Sequence, residues 1–111
     1  LKHTRRPVKV ALLDQRLIAG IGNMYAVEAL WRARIHPRRP ANELNRDEVR
    51  RLKSSLVQVL KKAIAYGPEI YEIQKFKVYD RKGRPCSRCR TPIQRIILGG
   101  RGTYFCPGCQ R

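Results

Sequence analysis

Four cysteines in the last quarter of the chain are the residues whose type and spacing indicate chemistry most directly. Cys86 and Cys89 form one C-x2-C pair, Cys106 and Cys109 form a second, and the protein has no other cysteine. A two-residue gap lets both thiolates of a pair bind one metal ion from a single tight turn. The two pairs, sixteen residues apart, predict one tetrahedral zinc site. Two disulfides are the alternative, since the sequence alone does not fix the redox compartment.

The segment between the two pairs predicts a β-hairpin that brings them together. Residues 92–98 are apolar and β-branched, Gly99 and Gly100 supply a turn, and residues 103–105 return. Arg101 lies beside this turn with a glycine on each side, so no bulky neighbour blocks its approach to a phosphate. A purely structural turn has little need of an arginine there. We therefore interpret Arg101 as a nucleic-acid contact.

The charge balance indicates what kind of partner the protein binds. The chain has 111 residues with 25 Lys and Arg against 8 Asp and Glu, a formal net charge of +17. Such an excess opposes compaction unless a polyanion neutralises it, and arginine suits bidentate contact with phosphate. An anionic membrane is the alternative, but neither a long apolar run nor a basic amphipathic helix with an aromatic face supports it. The expected partner is nucleic acid.

A second stretch of interest runs from the glycines before residue 23 into a helix. A short helical segment over residues 8–13 precedes it, and MYAVEALWRA then has helical periodicity up to about Ile35. Asn23 is the predicted N-cap. Gly20 and Gly22 leave backbone N–H groups free at the positive end of the helix dipole, which is a geometry that binds phosphate. An ordinary turn and cap is the alternative. The predicted buried stripe comprises Met24, Val27, Leu30 and Trp31.

The longest predicted helix begins after Asn45. Glu48 completes a capping box with Asn45, apolar residues recur at spacings of three and four to Tyr66, and Gly67 and Pro68 end the helix. We expect this stripe to form a helical core that is separate from the finger. A short turn of helix is predicted to follow, and then an extended run that leads to the first cysteine pair.

These motifs together resemble a known family. GIGNMYAVEALWRARIHP, a long helix, and VYDRKGRPCSRCRTPIQRIILGGRGTYFCPGCQR are similar to the C-terminal half of formamidopyrimidine-DNA glycosylase, whose family includes endonuclease VIII. The resemblance covers nearly the whole chain. It implies a mainly α fold with a small zinc-bound β-hairpin: a helix–two-turn–helix module over residues 1–75, then a four-cysteine zinc finger over residues 76–111 with one structural Zn²⁺.

The resemblance also implies a function and a set of site residues. The family is made of base-excision-repair DNA glycosylases with AP-lyase activity on oxidised bases, which grip the phosphate backbone of duplex DNA at a damaged or abasic site. By position, Asn23, next to Gly22, resembles the asparagine that holds a phosphate beside the lesion, and Arg5 falls where a DNA-contacting lysine usually stands. Arg101 resembles the finger arginine that contacts the flanking phosphates and assists elimination, a catalytic role only in a complete enzyme. A bacterial, cytoplasmic, nucleoid-associated location is implied.

Two departures from the family pattern concern catalysis and lesion choice. The family attacks the sugar with an N-terminal proline amine in a β-sandwich domain, whereas this chain begins Leu1-Lys2-His3. We expect the chain alone to bind DNA without cutting it, with a separate N-terminal catalytic domain as a partner. Relatives usually carry a longer insert after Gly67, part of which closes over the damaged base, whereas here only PEIYEIQKFK follows. The sequence therefore does not predict which damaged base is recognised. The alternative function is that of a free-standing zinc-ribbon protein that binds RNA or DNA.

Overall fold

The computed structural model describes residues 5–14, 22–66 and 76–111, and these ranges contain three α-helices and one two-stranded antiparallel sheet. The elements are α1 (Val8–Asp14), α2 (Gly22–Ala33), a short 3₁₀ turn (Ala41–Glu43), α3 (Arg46–Tyr66), β1 (Gln94–Leu98) and β2 (Arg101–Phe105). The predicted mainly α fold with a small β-hairpin is confirmed. In this part of the chain, no helix combines the length and apolarity needed to cross a membrane.

Helix α2 is the central element, because it packs against α1, α3 and β2. It ends two residues earlier than the sequence predicted. Arg34 adopts a left-handed conformation with φ of 63°. The N–H groups of Arg34 and Ile35 donate to the carbonyl oxygens of Trp31 and Leu30, at 3.1 and 3.0 Å. These two bonds form a Schellman motif, which satisfies the last carbonyls of the helix.

Two apolar cores lie on opposite sides of α2. The first core joins α1, α2 and α3, and its largest fully buried members include Leu30 and Leu52. The second core joins Val27 and Trp31 of α2 to residues of the finger. The expectation that the α3 stripe belongs to a core separate from the finger is confirmed, because the first core contains Leu52 and Val59 and no described residue of the finger. Helix α2, however, contributes to both cores, so the helical part is not wholly separate from the finger. Nine of the twelve residues of α2 are buried, so it offers an apolar surface to both sides.

The capping box predicted for α3 is confirmed. The Oδ1 atom of Asn45 accepts from the backbone N–H of Glu48 at 2.8 Å, and the Oε1 atom of Glu48 accepts from the N–H of Asn45 at 3.0 Å. Glu48 also forms an ion pair with Arg39 at 2.7 Å. This pair fixes the loop between α2 and α3 to the first turn of α3.

The segment before the first cysteine pair is curled and not extended as predicted. Glu28 of α2, only 3% exposed, is the cause. Its carboxylate accepts the backbone N–H groups of Lys77, Val78 and Tyr79 at 2.8, 2.8 and 2.9 Å. Three consecutive N–H groups can converge on one anion only if the backbone turns around it. Residues 67–75, which include most of the short segment that follows Gly67, lie outside the described residues together with Gly20 and His3.

The hairpin has the turn that its glycines predict. Leu98 pairs with Arg101, so Gly99 and Gly100 form a two-residue loop with φ of 58° and 77°. Positive φ at both positions is typical of a type I′ turn, whose twist matches that of the flanking strands. The turn therefore stands at the far end of the hairpin from the four cysteines.

Candidate metal centre and nucleic-acid interface

The hairpin brings the four cysteines into one cluster. Their sulfur atoms all lie within 4.8 Å of one another. The Sγ atoms of Cys86 and Cys109 are 3.9 Å apart, and those of Cys89 and Cys106 are 3.3 Å apart. Tetrahedral zinc with Zn–S bonds of about 2.3 Å requires sulfur atoms about 3.8 Å apart. All four cysteines are free thiols, so the geometry is that of a metal site and not of two disulfides.

The local electrostatics also favour a cation at this cluster. Burial raises the pKa of the Cys106 thiol to about 12. Burial also opposes ionisation of Cys86, but hydrogen bonds from the Cys89 backbone and the Trp31 indole outweigh it and bring the pKa of Cys86 to about 6. Four thiolates can coexist at these distances only when a positive ion stabilises them together. Four sulfur ligands at tetrahedral spacing fit zinc.

The opposite end of the hairpin lies against the N-terminus of α2. Asn23 is partly exposed, and its Nδ2 atom donates to the carbonyl oxygen of Gly102 at 3.0 Å. Its Oδ1 atom is buried and has no hydrogen-bond partner within the described ranges. The N-cap prediction is wrong, because α2 already begins at Gly22 and the Asn23 amide bonds to β2 instead of its own helix. Gly22 itself is buried.

Lys9 of α1 is a polar residue of this region that the sequence did not single out. Its side chain is buried, and its Nζ atom donates to the carbonyl oxygen of Leu98 at 3.4 Å. Burial and the charge of Arg101 lower the pKa of Lys9 to about 8. The only signal in the sequence was a lysine within the apolar helical segment VKVALL.

Arg101 and Asn23 are brought to the same end of the hairpin, as the sequence reasoning required. Arg101 is exposed as the first residue of β2, next to the residue that Asn23 contacts. We call Lys9, Asn23 and Arg101 the tip cluster. Arg5 is not part of the tip cluster. It is exposed and lies two residues before Pro7, which pairs with Pro40 at the start of the 3₁₀ turn.

Comparison with protein families decides what this arrangement is. The model of the formamidopyrimidine-DNA glycosylase H2TH domain matches residues 1–75, and that of a zinc finger found in FPG and IleRS matches residues 83–111. The chain belongs to the formamidopyrimidine-DNA glycosylase family. Its finger is therefore of the FPG type, and the four clustered cysteines are the ligands of one structural zinc ion.

Bacterial relatives are similar over almost the whole of this chain. A formamidopyrimidine-DNA glycosylase from Chloroflexus aurantiacus is 46% identical over 122 residues, covering 99% of the chain and 44% of the relative. One from Thermus thermophilus is 45% identical over 124 residues, covering 99% of the chain and 46% of the relative. The chain thus spans less than half the length of these relatives. Both alignments are longer than the 111-residue chain, so the relatives carry additional residues within the matched region.

Solved structures with the same fold include complexes with DNA. MutM in complex with DNA containing carbocyclic 8-oxo-G is 42% identical with a TM-score of 0.89, over 99% of this chain and 43% of that one. Lactococcus lactis Fpg in complex with DNA containing an abasic site is 38% identical with a TM-score of 0.87, over 99% of this chain and 44% of that one.

Proposed function

We propose that this chain is the DNA-binding part of a base-excision-repair DNA glycosylase with AP-lyase activity. In this proposal the tip cluster holds the phosphate backbone of duplex DNA beside a damaged or abasic site. The observation that carries the proposal is the convergence of Arg101, Asn23 and Lys9 at one end of the hairpin, each from a different element.

Each member of the tip cluster offers a group that suits a phosphate. Arg101 presents an exposed guanidinium, which binds phosphate through paired N–H donors. The Asn23 amide gives one N–H to Gly102 and retains a second, at the N-terminus of the twelve-residue helix α2, where the dipole favours an anion. Lys9 has its charged end next to the turn and adds a cation below its pKa of about 8.

The lesion and the reaction are proposed from the family. The solved neighbours are complexes with DNA that contains an oxidised guanine analogue or an abasic site, and we propose the same substrate class here. The complete enzyme would cleave the N-glycosidic bond and then the strand through a Schiff base, with Arg101 assisting elimination. The 111 residues by themselves would bind without cutting, and a separate N-terminal catalytic domain is the proposed partner. The bacterial relatives support a cytoplasmic, nucleoid-associated location.

The salt dependence of DNA binding by two variants tests whether the tip cluster holds the phosphate backbone. Arg101→Ala should weaken binding to duplex DNA with an abasic site and lower the slope of log K against log salt by about 0.9, because one phosphate contact is lost. Asn23→Ala should weaken binding with little change in slope, because an amide releases no counterion. Arg84→Ala, which removes an exposed arginine near the cysteines, is the control and should match the parent. Arg5→Ala tests the remaining proposed contact in the same way.

Three results would contradict the proposal. Parent-like binding by both tip variants would show that the tip cluster is not the grip. A clear preference for structured RNA over abasic, nicked and intact duplex DNA would favour the free-standing zinc-ribbon binder. Base release, or a borohydride-stable adduct at the level of a complete glycosylase, would refute binding without cutting.

A further inference from the structure

The metal centre has a cationic neighbour that does not bind the metal. Arg88 lies between the two cysteines of the first pair and is partly buried. Its guanidinium carbon stands 3.6 Å from the centroid of the Trp31 ring. The Nη2 atom donates to the Sγ atom of Cys109 at 3.0 Å and to the backbone carbonyl of Trp31. Arg88 thus joins a sulfur of the second cysteine pair to helix α2.

Hydrogen bonds from the same two residues reach the first cysteine pair. The indole Nε1 atom of Trp31 donates to the Sγ atom of Cys86 at 3.4 Å, and the backbone N–H of Arg88 donates to the same sulfur at 3.4 Å. Arg88 therefore contacts thiolates from both pairs, one through its backbone and one through its side chain. Trp31 is 6% exposed, so these contacts lie where solvent screens them little.

A charge argument explains why such contacts matter. Four thiolates with one Zn²⁺ carry a net double negative charge, and Cys86 and Cys106 are fully buried. A charge out of water is costly unless hydrogen-bond donors or an opposite charge compensate it. A guanidinium 3.0 Å from Cys109 supplies both a donor and a positive charge.

We propose that Arg88 is a positioning residue of the metal centre: its guanidinium, stacked on Trp31, offsets the charge of the Cys109 thiolate and so increases the retention of zinc. The stacking holds the guanidinium in place. The Nε atom of Arg88 is buried without a hydrogen-bond partner in the described part of the chain. The contact with the Trp31 ring therefore stabilises the guanidinium in place of a complete set of hydrogen bonds. A planar, delocalised cation is needed for this geometry, and lysine would supply the charge without the stack.

The test is metal binding by the whole 111-residue chain, with no activity assay. Zinc affinity is measured by competition with a chromogenic chelator, and the sulfur-to-cobalt charge-transfer band is recorded on the Co²⁺-substituted protein. Arg88→Met should lower zinc affinity by about 10-fold to 100-fold, the usual effect of removing a partner of a metal ligand. The band should also move to lower energy, because a thiolate without its donor gives up electrons more easily.

Arg90→Met is the matched control. Arg90 is an exposed arginine next to Cys89, and its loss removes the same charge from the same turn. It should leave both the zinc affinity and the band as in the parent. Arg88→Lys, which keeps the charge, should bind zinc more tightly than Arg88→Gln, which keeps only a neutral donor.

Each contrary result has a definite meaning. Parent-like affinity and band in Arg88→Met would overturn the proposal. An equal loss in Arg90→Met would assign the effect to net charge and not to the contact with Cys109. If Arg88→Met is too unstable to bind metal, the Lys and Gln variants decide the matter, and tighter zinc binding by Arg88→Gln than by Arg88→Lys would overturn the role of the cation.

Discussion

The two ends of the hairpin differ in how completely their polar groups are bonded. At the cysteine end, Gln110 is buried and uses both atoms of its amide: Oε1 accepts from the N–H of Cys106 at 2.7 Å, and Nε2 donates to the carbonyl of Ile35 at 2.9 Å. Arg88 and Trp31 donate to sulfur in the same region. The Nε atom of Arg88 has no hydrogen-bond partner in the described ranges, but its guanidinium stacks on the Trp31 ring. These contacts tie this end to α2 and need no ligand besides the metal.

At the turn, the polar groups are only partly bonded. The Oδ1 atom of Asn23 has no partner in the described ranges, Lys9 has one long bond to a carbonyl, and Arg101 is exposed. The exposed Arg101 guanidinium and the second N–H of the Asn23 amide remain as donors at the turn, and under the proposed function they would bind a phosphate. The cysteine end holds the structure through contacts that are already made, whereas the turn keeps donors that we propose for an anionic ligand.

Loss of the metal should have the largest effect on this contrast, because it removes the contacts that tie the cysteine end to α2. Chelation or Cys106→Ser should unfold residues 78–111, since structural zinc contributes on the order of 10 kcal/mol in small fingers. Because Trp31 belongs to the finger's core, α2 should loosen as well, and the emission of this single tryptophan should shift to the red. Zinc content, circular dichroism and fluorescence are the measurements, with exposed Ser87→Ala as the control.

This expectation has clear contrary outcomes. Protein purified without chelator should contain one zinc ion per chain. A preparation free of zinc, or a mass spectrum that shows oxidised cysteine pairs, would mean that the cysteine end is held by other bonds.

Two glycines test how closely the turn rests on α1. A Cβ atom at Gly99 would lie 3.3 Å from the Cγ2 atom of Val10, whereas a Cβ atom at Gly83 would meet nothing within 4 Å. Both residues have positive φ, of 58° and 83°. Each change to alanine should therefore cost about 1 kcal/mol for the left-handed backbone. Gly99→Ala should lower the urea midpoint further than Gly83→Ala, and it alone should weaken DNA binding; equal effects of the two changes on both measurements would show that the turn does not depend on its contact with α1.

The smallest expected effect is a pH dependence at the turn. The pKa of Lys9 is lowered to about 8 by burial and by Arg101, so the side chain is charged below pH 8 and neutral above it. Affinity for DNA should fall as the pH rises from about 7 to about 9, by roughly fivefold, because one charge pair near 4 Å contributes about 1 kcal/mol in water. Fluorescence anisotropy at constant ionic strength measures this.

Two variants distinguish Lys9 from other lysines. Lys9→Met should remove the pH dependence, and Lys61→Met, which changes an exposed lysine of α3, should keep it. If the affinity of the parent protein for DNA does not change between these pH values, Lys9 does not contribute to DNA binding.

The sequence predicted those features that depend on neighbouring residues. The capping box of Asn45 and Glu48, the hairpin turn and the four-cysteine cluster are each specified within a few residues or by a fixed spacing. The fold class and the family were predicted from the resemblance of the longer motifs, and the structure and the comparisons confirm both.

The features that the sequence did not predict depend on contacts between distant residues. The Asn23 amide bonds to a carbonyl 79 positions away, and Glu28 holds backbone groups about fifty positions away. Local rules therefore predicted an N-cap at Asn23 and an extended run before the first cysteine pair. Lys9 looked like one more basic residue near the start, because only the packed hairpin reveals that it is buried.

Because the register of the hairpin is fixed, the length of its strands determines the distance between the zinc site and the guanidinium of Arg101. Five residues of β2 separate the turn from Cys106, a distance of about 17 Å at about 3.4 Å per residue. One extra residue in the strand would place Arg101 on the opposite face of the sheet, because side chains alternate. Two extra residues in each strand would keep the face and move Arg101 outward by about 7 Å, away from Asn23. The number of strand residues between the cysteines and the turn thus determines the position of Arg101. An insertion in this strand would move Arg101 relative to Asn23, whereas an insertion in a surface loop would not.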